Sequence, residues 1–329
     1  MGGAPSNGYS KTALLQWYFE GTRLYGSKGY ELNSKHFRPN DISDMAGKVV
    51  LITGANKGLG FAAARRMAEL NATVHLVCRD EVKGQEARDK IVAATSNANV
   101  FCHQCDISCY AAVRSFAKVF TAQVSSLDVL INNAGLMPEK RTLTSEGNEV
   151  ITATTLGGTH LLTDLLVPCL KASKGRVINV SSGGMYSARA NPSDIYSSKI
   201  EKYDGALFYA FAKRIQVILT EMWAEKLKSA GVTVNSMHPG WATTEGVLQS
   251  MPGFHEQNKD AFRTVDQGAD TIVFLASNTN RVVGQTGLFW FDRQPVRTHM
   301  PLGGTQSSEA DRKLLWKVCS ETVGGLTNV

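Results

Sequence analysis

Tyr209 and Lys213 stand four positions apart in a helical apolar pattern of Phe208, Ala212, Ile215, Leu219, Met222 and Trp223. Residues at that spacing project from one helical face, so an ammonium comes close to a phenol. A free phenol titrates near pH ~10, too high for proton exchange at neutrality. A neighbouring cation pulls that value down and makes Tyr209 a usable general acid/base. Other tyrosines lack the pairing: Lys199 follows Tyr196 by three positions, and no lysine lies four after Tyr203.

A second cluster has the makings of a phosphate cradle. In residues 49–60, Val-Val-Leu-Ile-Thr-Gly-Ala-Asn-Lys-Gly-Leu-Gly, an apolar run stops at Gly54, Gly58 and Gly60, and a helical pattern (Phe61, Ala64, Met67, Ala68) follows. That reads as a buried strand, a tight turn and a helix start, where backbone amides and the positive helix end can receive a pyrophosphate. Glycine spacing alone also fits an ordinary turn. After the next apolar run the chain reads Val77-Cys78-Arg79-Asp80. An acid for a ribose 2′-hydroxyl is missing there; Arg79, reinforced by Lys57, can fork onto a 2′-phosphate, which argues for NADP(H) over NAD(H). The alternatives are a solvent pair between Arg79 and Asp80 or Glu81, and an NAD role for Asp80 one residue late.

These groups need elements to hold them. From Lys48 onward short apolar runs at Val49–Thr53, Thr73–Cys78, 99–104, 127–131, Arg176–Val180, 232–236 and 288–291 alternate with helical patterns starting at Gly58, Glu81, Tyr110, Ser145, Asp204 and Asp266. The rhythm predicts a Rossmann-type, doubly wound parallel sheet in a three-layer α/β/α single domain over residues 46–300. Residues 1–45 read as an N-terminal extension with an amphipathic helix, and 301–329 as a C-terminal tail.

Composition narrows the function classes. With 329 residues, 43% hydrophobic and 19% charged, the chain has ample material for a core. The charge of +6 is scattered without a basic run, which leaves nucleic-acid binding without support and suits a phosphorylated small ligand. Six cysteines in apolar or helical stretches read as reduced thiols of a cytosol-facing protein with no signal peptide, and Cys102-His103-Gln104-Cys105 lacks the second ligand pair of a zinc site. No run of about 18 apolar residues is expected to span a membrane. Peripheral contact stays open: Met1-Gly2-Gly3-Ala4-Pro5-Ser6 fits an N-myristoylation pattern, and residues 13–26 either lie on lipid or dock on the domain, docking being the favoured reading.

Asn132-Asn133-Ala134-Gly135, the glycine turn and Tyr209-Ala-Phe-Ala-Lys213 occur in the order in which they occur in the short-chain dehydrogenase/reductase family, which residues 48–291 resemble. The resemblance implies that an oxidised nicotinamide lowers the Tyr209 phenol's pKa further, that Lys213 also holds the nicotinamide ribose and that Ser182 hydrogen-bonds the reacting oxygen; strand alternation turns Ser181 the other way. It implies cofactor contacts from Thr53, Gly54, Asn56, Lys57, Gly58, Leu59 and Gly60 in the turn. Further contacts fall to Asp106 and Ile107 beside the adenine, Asn133, Ala134 and Gly135 along the strand end, and Pro239, Gly240 and Thr244 after the sixth strand. Family members often pair through the helix carrying the tyrosine, so a homodimer is open.

Thr154 departs from the pattern: it occupies the position of the family's asparagine, which helps seat a water linked to the lysine. A threonine offers one hydroxyl in place of a two-ended amide, and an impaired proton supply costs about 10²–10⁴-fold in rate. Twenty-six residues separate Ser182 from Tyr209, an insertion bordering the substrate cleft, and Trp241, Met251 and Phe254 are candidates for an apolar lid. The leading expectation is an NADP(H)-dependent enzyme acting on a carbonyl or alcohol of an apolar small molecule, steroid-, retinoid- or lipid-like by analogy. The rivals are a cofactor-binding scaffold or redox sensor with little turnover, and a membrane-recruited lipid-binding module.

Overall fold

A computed structural model describes residues 9–278 and 280–328. The Gly2 acylation pattern lies outside the described residues. Two helices lead in, α1 (Lys11–Leu24) and α2 (Ser27–Ser34), before the alternation begins. It runs β1 (Val49–Thr53), α3 (Gly58–Glu69), β2 (Thr73–Cys78), α4 (Glu81–Thr95), β3 (Val100–Gln104), α5 (Tyr110–Gln123) and β4 (Val129–Asn132). Helix α6 (Val150–Leu156) continues through a π-helical turn, Gly157–Leu162, into α7 (Thr163–Ser173). Then come β5 (Arg176–Val180), α8 (Gly205–Leu227), β6 (Thr233–Met237), α9 (Glu245–Ser250), α10 (Pro252–Asn258), α11 (Val265–Ser277), β7 (Phe289–Phe291), β8 (Gln294–Val296) and α12 (Glu309–Thr322).

The sheet order is β3-β2-β1-β4-β5-β6-β7-β8, parallel through β7. Strand order reverses between β1 and β4, so a crevice opens beyond their carboxyl ends, where such folds bind ligands. Alternation sorts the strand side chains into two cores. Leu51, Val77, Leu130 and Val177 pack with Phe116, Leu161 and Trp223 on one face. Val50, Ile52, Ile131 and Ile178 pack with Met67, Ile272 and Phe274 on the other. Fully burying each such side chain contributes roughly 1.5–3 kcal/mol.

Three features differ from the sequence reading. An antiparallel β8 extends the parallel sheet, joined to β7 through Asp292 and Arg293, both with positive φ (47° and 61°). The helix expected at Ser145 begins at Val150, because Gly147 (φ 80°) makes a turn first and the Glu149 carboxylate caps the amides of Ile151 and Thr152 at 3.0 and 2.9 Å. One segment, Val150–Ser173, is long and apolar enough to span a bilayer, contrary to expectation; in the fold it is buried as a core helix.

Both ends pack on this domain. Helix α1 docks through Ala13, Trp17 and Gly21, where a Cβ on Gly21 would lie 2.4 Å from the Trp241 ring, while Leu15 and Phe19 stay exposed. Helix α12 buries Leu315 and Cys319 and sets Trp316 edge-on against His160 and Trp223, with centroids 4.7 and 5.1 Å away.

Candidate active site

The turn after β1 is built for close backbone approach. Gly54 and Gly58 have φ of 64° and 57°, and a Cβ on Gly60 would sit 2.4 Å from the Gly54 carbonyl oxygen. Asn133 Nδ2 donates to the carbonyls of Thr53 (2.9 Å) and Gly54 (3.1 Å), and the Thr53 hydroxyl accepts from the amides of Asn133 and Ala134 at 3.0 Å each. Thr53 and Asn133 thus spend their polar atoms on shaping the turn. Lys57 precedes α3 without a side-chain cap, so the first-turn amides of Gly58, Leu59 and Gly60 are presented to the crevice at the positive end of a 12-residue helix. This cradle, closed to any Cβ at Gly60, fits a dinucleotide's pyrophosphate. Asn56 lies partly exposed in the same turn.

The flanking candidates differ in how committed they are. Arg79 is exposed at the carboxyl end of β2 and makes no ion pair among the described residues; Asp80 instead caps α4 through the Lys83 amide (3.1 Å) and faces the Lys83 ammonium (3.6 Å). The alternative Arg79–Asp80 pair does not form. Lys57 pairs with Glu245 at 2.9 Å, which draws the loop after β6 onto the glycine turn; Thr244 there caps α9, its hydroxyl accepting from Val247 at 3.3 Å. Asp106 Oδ1 accepts from the Ser108 amide (2.9 Å) and hydroxyl (2.7 Å), and Ile107 is buried with its carbonyl against Gly157. Gly240 (φ 75°) follows Pro239 where a Cβ would lie 2.6 Å from the Tyr25 carbonyl oxygen.

Helix α8 carries the Tyr-Lys pair into the crevice. Asp204 caps it, accepting from Ala206 and Leu207 at 2.9 and 3.1 Å. Lys213 Nζ lies 5.3 Å from the Tyr209 ring centroid, and a Cβ on Gly135 would be 3.6 Å from Nζ, so the turn after β4 meets the body of α8 there. Nζ donates to the Val180 carbonyl (2.7 Å) and to Gln216 Oε1 (3.1 Å). Ser181 turns inward, its hydroxyl donating to the Lys213 carbonyl at 3.1 Å, while Ser182 faces the other way and accepts from the Gly184 amide at 3.2 Å. Thr154 is not part of this group: its hydroxyl donates to Val150 O of its own helix at 2.7 Å.

Burial sets the electrostatics of the pair in the chain alone. Burial pushes the Tyr209 phenol up to about 12 and the Lys213 ammonium down to about 7. The chain alone therefore does not depress the phenol: Nζ sits over the ring with two of its three protons given to Val180 and Gln216, and desolvation prevails.

An aromatic wall stands beside Ser182. Trp17 of α1 presses its indole on Gly183, where a Cβ would be 2.5 Å from Nε1. Its ring lies 6.1 Å from Trp241, which lies 5.0 Å from Phe254. Ser250, next to Met251, donates to the Met137 carbonyl at 2.6 Å and ties the loop after β6 to the loop after β4. Gln216 and Trp17 were missed as site residues, since Gln216 belongs to no motif and Trp17 read only as part of an apolar leader.

A family model described as short chain dehydrogenase matches residues 48–252. The chain is 42% identical to human dehydrogenase/reductase SDR family member 12 over 93% of this chain and 96% of that protein. It is 38% identical to mouse retinol dehydrogenase 11 over 70% of this chain and 74% of that one. Among solved structures, a protein from Mycobacterium paratuberculosis superposes with a TM-score of 0.69 at 27% identity, covering 88% of this chain and 98% of the other. The RhlG/NADP complex of Pseudomonas aeruginosa shares the fold, with a TM-score of 0.61 at 20% identity over 77% and 96%.

Proposed function

The chain belongs to the short-chain dehydrogenase/reductase family, and from that premise we propose an NADP(H)-dependent oxidoreductase that interconverts a carbonyl and an alcohol on an apolar small molecule. The observation that carries this reading is the meeting of Tyr209, Lys213 and the β4 end at Gly135 beside a glycine turn with a close-fitting backbone. When bound, the nicotinamide supplies or accepts the hydride. Ser182 holds the reacting oxygen; Tyr209 gives it a proton in reduction and takes one in oxidation; Lys213 steadies the phenolate that results. Arg79, exposed and without an ion pair among the described residues, would receive a 2′-phosphate. The retinol dehydrogenase named among the relatives supports an apolar substrate.

A second reading, cofactor binding with little turnover, draws on Thr154, whose hydroxyl is spent within its own helix. Steady oxidation of NADPH by retinal-like and medium-chain aldehydes or ketones separates the two. Turnover dependent on the carbonyl supports the enzyme; NADPH binding without turnover across the panel supports the sensor.

A further inference from the structure

Lys213 is nearly sealed, at 2% exposure, yet a lysine brings three donors and no acceptor into that space. Two are spent on the protein. One goes to the Val180 carbonyl at the end of β5, at 2.7 Å, and one to Gln216 Oε1 three positions along α8, at 3.1 Å. Gln216 is equally buried, and its amide is oriented by chemistry: only the oxygen can accept from an ammonium. The amide nitrogen then donates to the Thr159 hydroxyl at 2.9 Å. Thr159 sits in the π-helical turn that interrupts the helix after Thr154, so the irregularity delivers a hydroxyl to α8.

We propose that Gln216, itself held by Thr159, is the positioning residue that keeps Lys213 charged and aimed toward Tyr209. The inference rests on the acid/base reading given above and assigns it a support that Thr154 does not provide. A neutral amide passes no proton along this chain, and Thr159 is itself buried, so the device holds the ammonium and does not feed it from solvent. It also leaves Lys213 one donor for the crevice.

Among the described residues, few other polar groups face the Lys213 ammonium. Strand β5 contributes the Val180 carbonyl and a Ser181 hydroxyl aimed at the Lys213 backbone, and the β4 end contributes Gly135. The π turn contributes Thr159, and α6 contributes Thr154, bonded to Val150. Arg214, adjacent in sequence, points away to the carbonyls of Met185, Ala188 and Thr298. Tyr209 is the titratable neighbour on the same helix. Burial alone pulls the ammonium toward neutrality, to about 7, and a charge-assisted hydrogen bond opposes it.

The test is NADPH binding, read by energy transfer from tryptophan between pH 6 and 9 with no substrate present. Gln216→Met removes the acceptor at similar volume, so Lys213 loses its proton earlier and the pH at which affinity falls off moves down by about one unit. Gln216→Glu places a carboxylate on the ammonium, and the fall-off moves up by at least as much. Opposite shifts support the proposal, since a packing role moves neither. Wild-type pH dependence in both variants, or a shift of one sign in both, overturns it. Because no carbonyl is turned over, a protein that shows the two shifts but reduces nothing would sink the proposed activity and leave Gln216 standing. If only Gln216→Glu fails to fold, Gln216→Met still decides: its fall-off must move down.

Discussion

Residues at the site divide into those that shape it and those left available. Thr53, Asn133 and Gly60 are consumed by the turn itself, whereas Arg79 is exposed with no ion pair among the described residues, and Ser182 spends its oxygen only on the Gly184 amide. That contrast gives Arg79 a measurable task. NADPH should raise the melting temperature well above the effect of equal NADH, and Arg79→Ala should abolish the difference while leaving NADH stabilisation in place. Equal stabilisation of the wild-type protein by both cofactors would remove the argument. The motif residues were legible because their chemistry requires fixed spacings: a phenol and an ammonium on one helical face, glycines where backbone must touch backbone. Gln216 was not legible, because a glutamine three positions after a lysine means nothing until the π turn brings Thr159 to it.

Elements carry the next layer. Seven strand candidates became seven strands, with shifts of one or two residues at 99–104, 127–131, 232–236 and 288–291, since apolar runs between helical patterns mark parallel strands strongly. Strand β8 escaped because Asp292 and Arg293 take positive φ without a glycine, and Pro295 argues against a strand except at an edge. The same turn explains how the leader is held. Asp292 pairs with Arg263 inside the protein (Nη2–Oδ2 2.8 Å), and Arg263 also donates to the carbonyls of Leu24 (2.9 Å) and Gly26 (3.2 Å) where α1 passes to α2. Removing Arg263 leaves the buried Asp292 carboxylate without its cation, holding only the Asn33 amide (2.9 Å), and takes one donor each from the Leu24 and Gly26 carbonyls. Arg263→Ala should cost about 3–5 kcal/mol in denaturant unfolding, with protease cleavage appearing between α1 and α2. A loss under about 1 kcal/mol would mean that the pair does not pin the leader.

At the scale of the whole molecule, the C-terminal helix completes the fold by covering α8 and the π turn. Trp316 packs on His160 and Trp223, Arg312 pairs with Glu221, and Asp164 accepts from the amides of Thr327 (2.8 Å) and Asn328 (3.0 Å). A homodimer through α8 would need that surface. Light scattering at micromolar concentration should therefore give the monomer mass of 35.7 kDa; a dimer that persists on dilution would show that pairing uses another face. The central claim concerns a single proton. Carbonyl-dependent oxidation of NADPH by Tyr209→Phe, compared with wild type at matched NADPH occupancy, tests it most directly. The account predicts a fall of at least about 10²-fold with cofactor binding retained, and undiminished turnover in Tyr209→Phe would contradict it.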